Sequence, residues 1–289
     1  MAIKSYKGFD KNLRCRDFQY KIGGIYEMDG EIKVCSRGFH ACESPFDVFD
    51  YYTMIDSRFC EVEQDGNISK EDRRTKICSS KIKIKTELKL ADMINLGIEW
   101  LKEITLPEKI KTSIKDNSSG NYAQIGSSGD GAKIGSSGNN AQIGSSGNNA
   151  KIGSSGDGAK IGSSGDGAKI GSSGYDAKIG SSGYDAKIGS SGYNAQIGSS
   201  GDGAKIGSSG NNAKIDSTGK DCVIMCAGIN SVAKASKGSW ITLSEWSYSE
   251  GKQRYIPICV KTEFVDGEKI KADTYYSLKG GVFVEWIND

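Results

Sequence analysis

The sequence predicts a mainly β protein: a central β-solenoid of nine-residue repeats, with a small α+β domain before it and a β-rich cap after it. Isoleucine recurs every nine residues from Ile125 to Ile215, and alanine precedes each of these isoleucines by two positions. Most of the 39 glycines lie in the same stretch. Such a concentration indicates a periodic structure, because a flexible linker needs no fixed register.

The first segment, residues 1–108, is expected to form the α+β domain. The Asp29-Gly30 and Asp65-Gly66 pairs predict turns, and Pro45 after Ser44 predicts a short helix over 45–52. Apolar residues at three- and four-residue spacing predict an amphipathic helix over 90–104 that ends near Pro107. The predicted strands cover 20–26, 31–35, 58–63 and 76–85.

The second segment, residues 109–219, carries the repeat Ala-(Lys/Gln)-Ile-Gly-Ser-Ser-Gly-x-x, which begins at about Asn117. Ala-x-Ile is the predicted strand, with both apolar side chains on one face and Lys or Gln on the other. The remaining residues form the turn, where Gly, Asn and Asp tolerate positive φ. Two units per coil is the favoured geometry. Three units per coil and a polyproline-II bundle are the alternatives, and the isoleucine row favours the β form over the bundle.

The third segment, residues 220–289, is expected to cap the solenoid. Degenerate repeat units are predicted near Cys222 and Ser231, and Pro257 places its strand at a sheet edge. The exposed last coil of a solenoid needs an apolar cover, for which Trp240, Trp246 and Trp286 are the candidates. Strands are predicted at 239–246, 255–265 and 282–287.

Composition limits the function classes. The net charge of +2 argues against nucleic-acid binding over the whole surface. No apolar run is long enough to cross a bilayer and the start lacks a signal-peptide core, so we expect a cytoplasmic protein without membrane contact. The eight cysteines are then expected to be reduced thiols. We expect no cofactor and no calcium, because alanine stands where calcium-binding nonapeptides carry aspartate.

Two rows of repeat side chains are candidates for partner binding. With two units per coil, one face carries an unbroken lysine row, which would attract phosphates. The alternative is a solubilising row whose repulsion is relieved by turn aspartates such as Asp166. Tyrosines in three consecutive turns suit a binding patch, in which Tyr175 and Tyr193 are expected to stack on one edge; local edge packing or repeat duplication is the alternative. The candidates are Lys133, Lys151, Lys169, Lys187, Lys205, Tyr175, Tyr184 and Tyr193.

A possible N-terminal site surrounds the only histidine and comprises Arg37, His40 and Cys42. With Cys15 and Cys35 these residues could approach a metal, but their spacing fits no standard zinc pattern, so no metal is predicted. Packed thiols with a structural histidine, and a Cys42 nucleophile activated by His40, are the remaining alternatives.

The N-terminal strings resemble an uncharacterised domain found mainly in phage and prophage proteins, in which solenoid repeats often follow. The strings are residues 6–10, 15–20, the Gly38-Phe39-His40-Ala41-Cys42 segment with Cys35 and Pro45, residues 58–63, and residues 238–243 near the other end. The resemblance implies phage origin and the cytoplasm of a bacterial host. It implies no established activity.

We therefore expect a phage-encoded, non-enzymatic interaction protein that binds and inhibits a host protein or nucleoprotein complex, in an anti-defence role, through the solenoid and its flanking domains. Direct nucleic-acid binding and homo-oligomerisation are further options. Gly38-Phe39-His40 also resembles the Gly-Phe-Tyr turn of ADP-ribosyltransferase-like domains, which implies an NAD- or nucleotide-binding enzyme as an alternative, with Glu61, Glu63 or Glu71 as its acid. A trimeric virion fibre is the structural alternative; the short rod and the well-formed end segments weigh against it.

Overall fold

The computed structural model describes residues 2–70, 75–105 and 120–287. The chain forms two compact units, Met1–Trp100 and Leu101–Asp289. Pro107, where the helix was expected to end, and Asn117, where the repeat was expected to begin, lie outside the described residues. Both the solenoid and the C-terminal strands belong to the second unit, and the limit between them at residue 220 stays a prediction.

The N-terminal unit is built on one antiparallel sheet that closes on itself. Strand β6 pairs with both β1 and β7, and β5 lies between β1 and β7. Phe9, Val62, Ile82 and Ile84 fill the interior. The elements are β1 Ile3–Phe9, β2 Arg14–Cys15, β3 Phe18–Gln19, β4 Ile25–Glu27, β5 Phe39–Cys42, the 3-10 helix Phe46–Asp50, β6 Arg58–Lys70, β7 Lys76–Leu88 and the helix α1 Leu90–Ile104.

The helix predicted over 90–104 is confirmed, but two of the predicted N-terminal strands are wrong or shortened. Residues 31–35 form no strand, because the Arg37 guanidinium donates to the carbonyls of Asp29 and Glu31 and holds this segment as a loop. The strand predicted over 20–26 is reduced to β4. Asp65-Gly66 is not a turn but an irregularity within β6, where the Ser80 hydroxyl accepts the backbone N–H of Asn67.

The central part is a β-solenoid with about seven turns between residues 124 and 243. Each strand pairs in parallel with the strand 18 residues away, as Lys151 does with Lys169. Two repeats therefore make one coil, as predicted. The strands are β8 Gln124–Ser127, β9 Lys133–Ser136, β10 Gln142–Ser145, β11 Lys151–Ser154, β12 Lys160–Ser163, β13 Lys169–Ser172, β14 Lys178–Ser181, β15 Lys187–Ser190, β16 Gln196–Ser199, β17 Lys205–Ser208, β18 Lys214–Ser217, β19 Val223–Cys226 and β20 Val232–Ala235.

Within a repeat, the strand starts one residue later than predicted and includes the first serine. In β11, Ile152 and Ser154 are buried while Lys151 and Gly153 are exposed. The alanine before the strand is buried too, and the Ala132 carbonyl already accepts the N–H of Lys151 in the next coil at 2.7 Å. Each coil is therefore filled by Ala, Ile and Ser side chains.

The turn residues follow from backbone geometry. The second variable position has φ between 52° and 57° wherever Asn or Asp occupies it from Asn140 to Asp221, and glycine takes the same place in other repeats. That left-handed region explains the restriction to Gly, Asn and Asp. A Cβ on Gly174 would lie 2.0 Å from the carbonyl oxygen of Gly156 in the preceding coil, so only glycine fits the stacked corner.

The C-terminal strands extend both solenoid sheets and cover the last coil. They are β21 Trp240–Ser249, β22 Arg254–Phe264, β23 Tyr276–Lys279 and β24 Val282–Glu285. As Pro257 predicted, β22 lies at a sheet edge. Ile241, Leu243, Val265 and Leu278 join the solenoid core. Of the three tryptophans predicted for the cover, Trp246 and Trp286 are partly buried, and the Trp246 indole donates to the Ala227 carbonyl, whereas Trp240 is 47% exposed and the prediction is wrong for it. Its place in the strand alternation turns it outward.

Candidate functional site

Five lysines form a continuous row on one sheet of the solenoid, which we call the lysine ladder. They occupy the first position of five consecutive parallel strands and pair directly with one another. All five are exposed. Adjacent parallel strands lie ~4.8 Å apart, so five positive charges stand on neighbouring rungs. The ladder consists of Lys133, Lys151, Lys169, Lys187 and Lys205.

No carboxylate of the described residues lies within ion-pair distance of these five ammonium groups. The glycines two positions further along the same strands have no heavy atom within 4 Å of where a Cβ would stand, as at Gly153 and Gly171. The ladder is therefore flanked by a flat strip of bare backbone. A partner can approach the lysines from the side without meeting other side chains.

The equivalent positions on the other sheet have a different environment. Gln142 and Lys160 are buried, at 7% and 3% exposure. The Lys214 ammonium lies 4.5 Å from the ring centre of Tyr275 and 4.2 Å from that of Trp286. Only the sheet that carries the lysine ladder presents its row to solvent along the whole repeat region.

The lysine ladder continues into exposed apolar side chains on the same sheet face. Val223 pairs with Lys205, Trp240 pairs with Val223, and Phe264 pairs with Trp240. The Trp240 and Phe264 rings lie 5.0 Å apart. Met225 replaces the strip glycine beside Val223 and is 51% exposed. We call Val223, Met225, Trp240 and Phe264 the apolar patch.

The predicted tyrosines lie on the solenoid corners rather than on the lysine ladder. Tyr175 and Tyr193 follow each other on one edge with ring centres 6.2 Å apart, and the Asn212 side chain donates to the Tyr193 hydroxyl at 2.5 Å. Tyr184 lies on the opposite edge, where its carbonyl accepts the N–H of Gly167. The prediction that Tyr175 and Tyr193 lie together on one edge is therefore confirmed, and Tyr184 stands apart from this pair.

The turn aspartates have a structural task. The Asp166 carboxylate accepts the backbone N–H of Tyr184, 18 residues on, at 2.9 Å. The Asp202 carboxylate accepts the N–H of Lys220 in the same way at 2.7 Å. These groups link successive coils at the corners and form no ion pair with the lysine ladder among the described residues.

The N-terminal candidates separate in the structure. His40 and Cys42 both lie on β5 and line one cavity of the N-terminal unit. The His40 Nε2 accepts the backbone N–H of Cys35 at 3.0 Å, so the neutral ring carries its hydrogen on Nδ1. Burial, aided by Lys76, Lys7 and other cations, lowers the pKa of His40 to about 4. Arg37 instead binds backbone carbonyls in the 29–37 loop.

The glutamates considered for an ADP-ribosyltransferase-like site do not line this cavity. Glu61 pairs with Lys4 at 2.9 Å and Glu63 with Lys85 at 2.6 Å. Glu71 lies outside the described residues. Within the described ranges, no cluster of three or more His, Cys, Asp or Glu side chains is arranged to hold a metal ion. The described helices include none with the length and apolar character needed to cross a membrane.

Comparison with known proteins adds one match. A domain of unknown function (DUF7666) matches residues 3–96, which include the histidine-containing strand β5 and the whole of the strands β1 to β7. No curated protein and no solved structure matches the chain. The N-terminal third is thus similar to a recurrent domain to which no activity is assigned.

Proposed function

We propose that this chain is a non-enzymatic interaction protein that binds an acidic partner through the lysine ladder. The lysine ladder is the main support for this proposal, because it consists of five exposed, in-register lysines without an ion pair to any described residue. Such a row costs repulsive free energy in the isolated protein, and a partner carboxylate or phosphate surface relieves it.

The apolar patch supports a protein surface, rather than bare nucleic acid, as the principal contact. Trp240 and Phe264 present adjacent rings at the end of the lysine ladder. Aromatic side chains and methionine are enriched at protein interfaces, where a few large side chains supply most of the binding free energy. A partner with an acidic strip that ends in an apolar pocket would match both parts.

The resemblance to phage and prophage proteins supports a bacterial protein or nucleoprotein complex as this partner, bound in the host cytoplasm. Binding would then inhibit the partner, in the manner of an anti-defence protein. The rigid solenoid favours this role because the backbone holds its lysines on neighbouring strands, so little backbone entropy is lost on association.

The test compares three forms of the full chain in a capture experiment from bacterial lysate. One form is native, one carries glutamine at all five ladder positions, and one carries arginine there. Glutamine occupies the equivalent position at Gln124, Gln142 and Gln196 of the other sheet, so the fold accepts it. Native protein and the arginine form should retain the same specific partner, and the glutamine form should lose it.

Nuclease treatment of the captured complex identifies the partner class. Loss of the complex after nuclease treatment would indicate nucleic acid as the contact, whereas an unchanged complex indicates protein. A complex that survives all five glutamine substitutions, or the absence of any specific partner, would contradict the proposal.

A further inference from the structure

A cavity of about 1090 Å³ lies within the N-terminal unit, next to the closed sheet. Its size is that of sites that hold a small organic molecule. Side chains from β1, from the 15–28 segment and from β5 line it, together with Tyr52 and Lys76. None of the residues of the lysine ladder or the apolar patch lines this cavity.

A buried ammonium group forms part of the cavity wall. Lys7 is only 4% exposed, and its Nζ donates to the His40 carbonyl at 3.0 Å and contacts the Cys15 thiol at 3.4 Å. Phe9 and Tyr20 place their rings 5.3 and 5.6 Å from it. Among the described residues no carboxylate pairs with it. A buried cation without an anionic partner is costly, and burial lowers the pKa of Lys7.

Charged side chains of both signs accompany Lys7 in the cavity lining. Arg16 and Lys76 are positive, Asp17 and Glu27 are negative, and the Glu27 carboxylate pairs with Lys81 outside the cavity at 3.3 Å. Burial first, and then Lys76, Lys7 and Arg16, disfavour the protonated form of His40 and lower its pKa. The interior near His40 therefore has a positive potential. An anion would be stabilised there and would complete the coordination of Lys7.

The mouth of the cavity is aromatic. The Phe18 ring meets those of Tyr20 and Tyr26 edge-on, with centres 4.8 and 5.3 Å away. Phe18 is nevertheless 46% exposed, and Ile25, which also lines the cavity, is 58% exposed. Exposed rings at the entrance of a cavity offer a surface on which a planar ligand can pack.

We propose that this cavity binds a small molecule with a planar ring and one anionic group, either a carboxylate or a phosphate. The anionic group contacts Lys7, and the ring packs against Phe18 at the mouth. Cys15, whose sulfur accepts the Tyr52 hydroxyl at 2.9 Å, contacts the Lys7 ammonium and pairs with Phe18 across strands β2 and β3. The proposal involves binding alone and no covalent step.

Calorimetric titration of the full chain tests this with two matched pairs of probes. 2-Naphthoate and its neutral alcohol, 2-naphthalenemethanol, represent the carboxylate class; AMP and adenosine represent the phosphate class. At least one acid should bind tenfold or more tightly than its neutral counterpart. Lys7→Met should abolish that preference, and Lys85→Met, which removes an exposed lysine outside the cavity, should leave it unchanged.

Phe18→Ala supplies a second test that does not depend on how well Lys7→Met folds, because Phe18 is half exposed. It should weaken acid and neutral probe alike. Tighter binding of naphthoate or of AMP assigns the anionic group to the carboxylate or phosphate class. Absence of binding by both acids, equal binding of acid and neutral probes, or an acid preference that persists in Lys7→Met would overturn the proposal.

Discussion

Replacing Lys169 by glutamine removes the central charge of the lysine ladder. Lys169 pairs with Lys151 on one side and Lys187 on the other. Two unit charges about 5 Å apart in water repel each other by ~0.8 kcal/mol. Removal of both nearest-neighbour repulsions should raise the free energy of unfolding of the second unit by about 1.5 kcal/mol at low salt.

Salt should reduce this gain in a defined way. The Debye length is about 8 Å at physiological ionic strength and about 3 Å at 1 M, so the expected stabilisation falls to about 0.9 and then about 0.3 kcal/mol. The unfolded chain contributes little, because paired lysines are 18 residues apart in sequence. The gain therefore reports the folded row rather than a general effect of net charge.

Urea denaturation is the suitable assay because urea carries no charge, and it should be run at about 10 mM, 150 mM and 1 M NaCl. Lys133→Gln is the matched control: Lys133 stands in the end strand of its sheet and has one lysine neighbour, Lys151. It should give half the gain. Destabilisation by Lys169→Gln, or a gain that does not change with salt, would refute the electrostatic argument.

Three further substitutions test other parts of the structure. Gly174→Ala should lower the free energy of unfolding by about 1–3 kcal/mol in urea titrations because its Cβ meets the neighbouring coil, whereas Gly171→Ala, with open space around it, should be neutral or stabilising. Asn194→Val should cost ~1–2 kcal/mol at its φ of 57°, and Asn194→Gly should be neutral within about 0.5 kcal/mol. Since the pKa of His40 is about 4 when folded and 6.5 ordinarily, the unfolded chain binds its proton first, and N-terminal stability should fall as the pH drops from 6.5 towards 4. His40→Gln should remove that part of the pH dependence, measured by hydrogen exchange.

The solenoid could be predicted from sequence because every nine-residue unit contains the same strand and corner residues. Eleven isoleucines at nine-residue spacing require a common inward face, and the Gly-Ser-Ser-Gly segment requires a corner. The error in strand limits has a local cause. The repeat pattern predicts a serine such as Ser154 in the corner, yet it is buried, because the polarity of a side chain does not indicate an inward position.

The apolar patch and the cavity could not be predicted in the same way. The sequence does contain one signal for the patch: Val223 and Met225 stand where earlier repeats carry Lys and Gly. The cavity has a weaker one, since Lys7 shares a strand face with buried Ser5 and Phe9. Nothing local brings Lys7 beside His40; that contact depends on how β1 and β5 pair in the folded sheet.

The two solenoid sheets share the residues that the fold requires and differ in the first position of each strand. The fold requires Ala, Ile and Ser inside and Gly, Asn or Asp at the corners. The first strand position is not restricted to lysine: three of its six places on one sheet are glutamine. On the other sheet all five are lysine, although four nearest-neighbour repulsions of ~0.8 kcal/mol amount to about 3 kcal/mol at low salt. Glutamine would avoid that cost without any change in backbone. The packing of the isolated protein gives no reason for the lysine ladder, so the reason is best sought in an anionic partner.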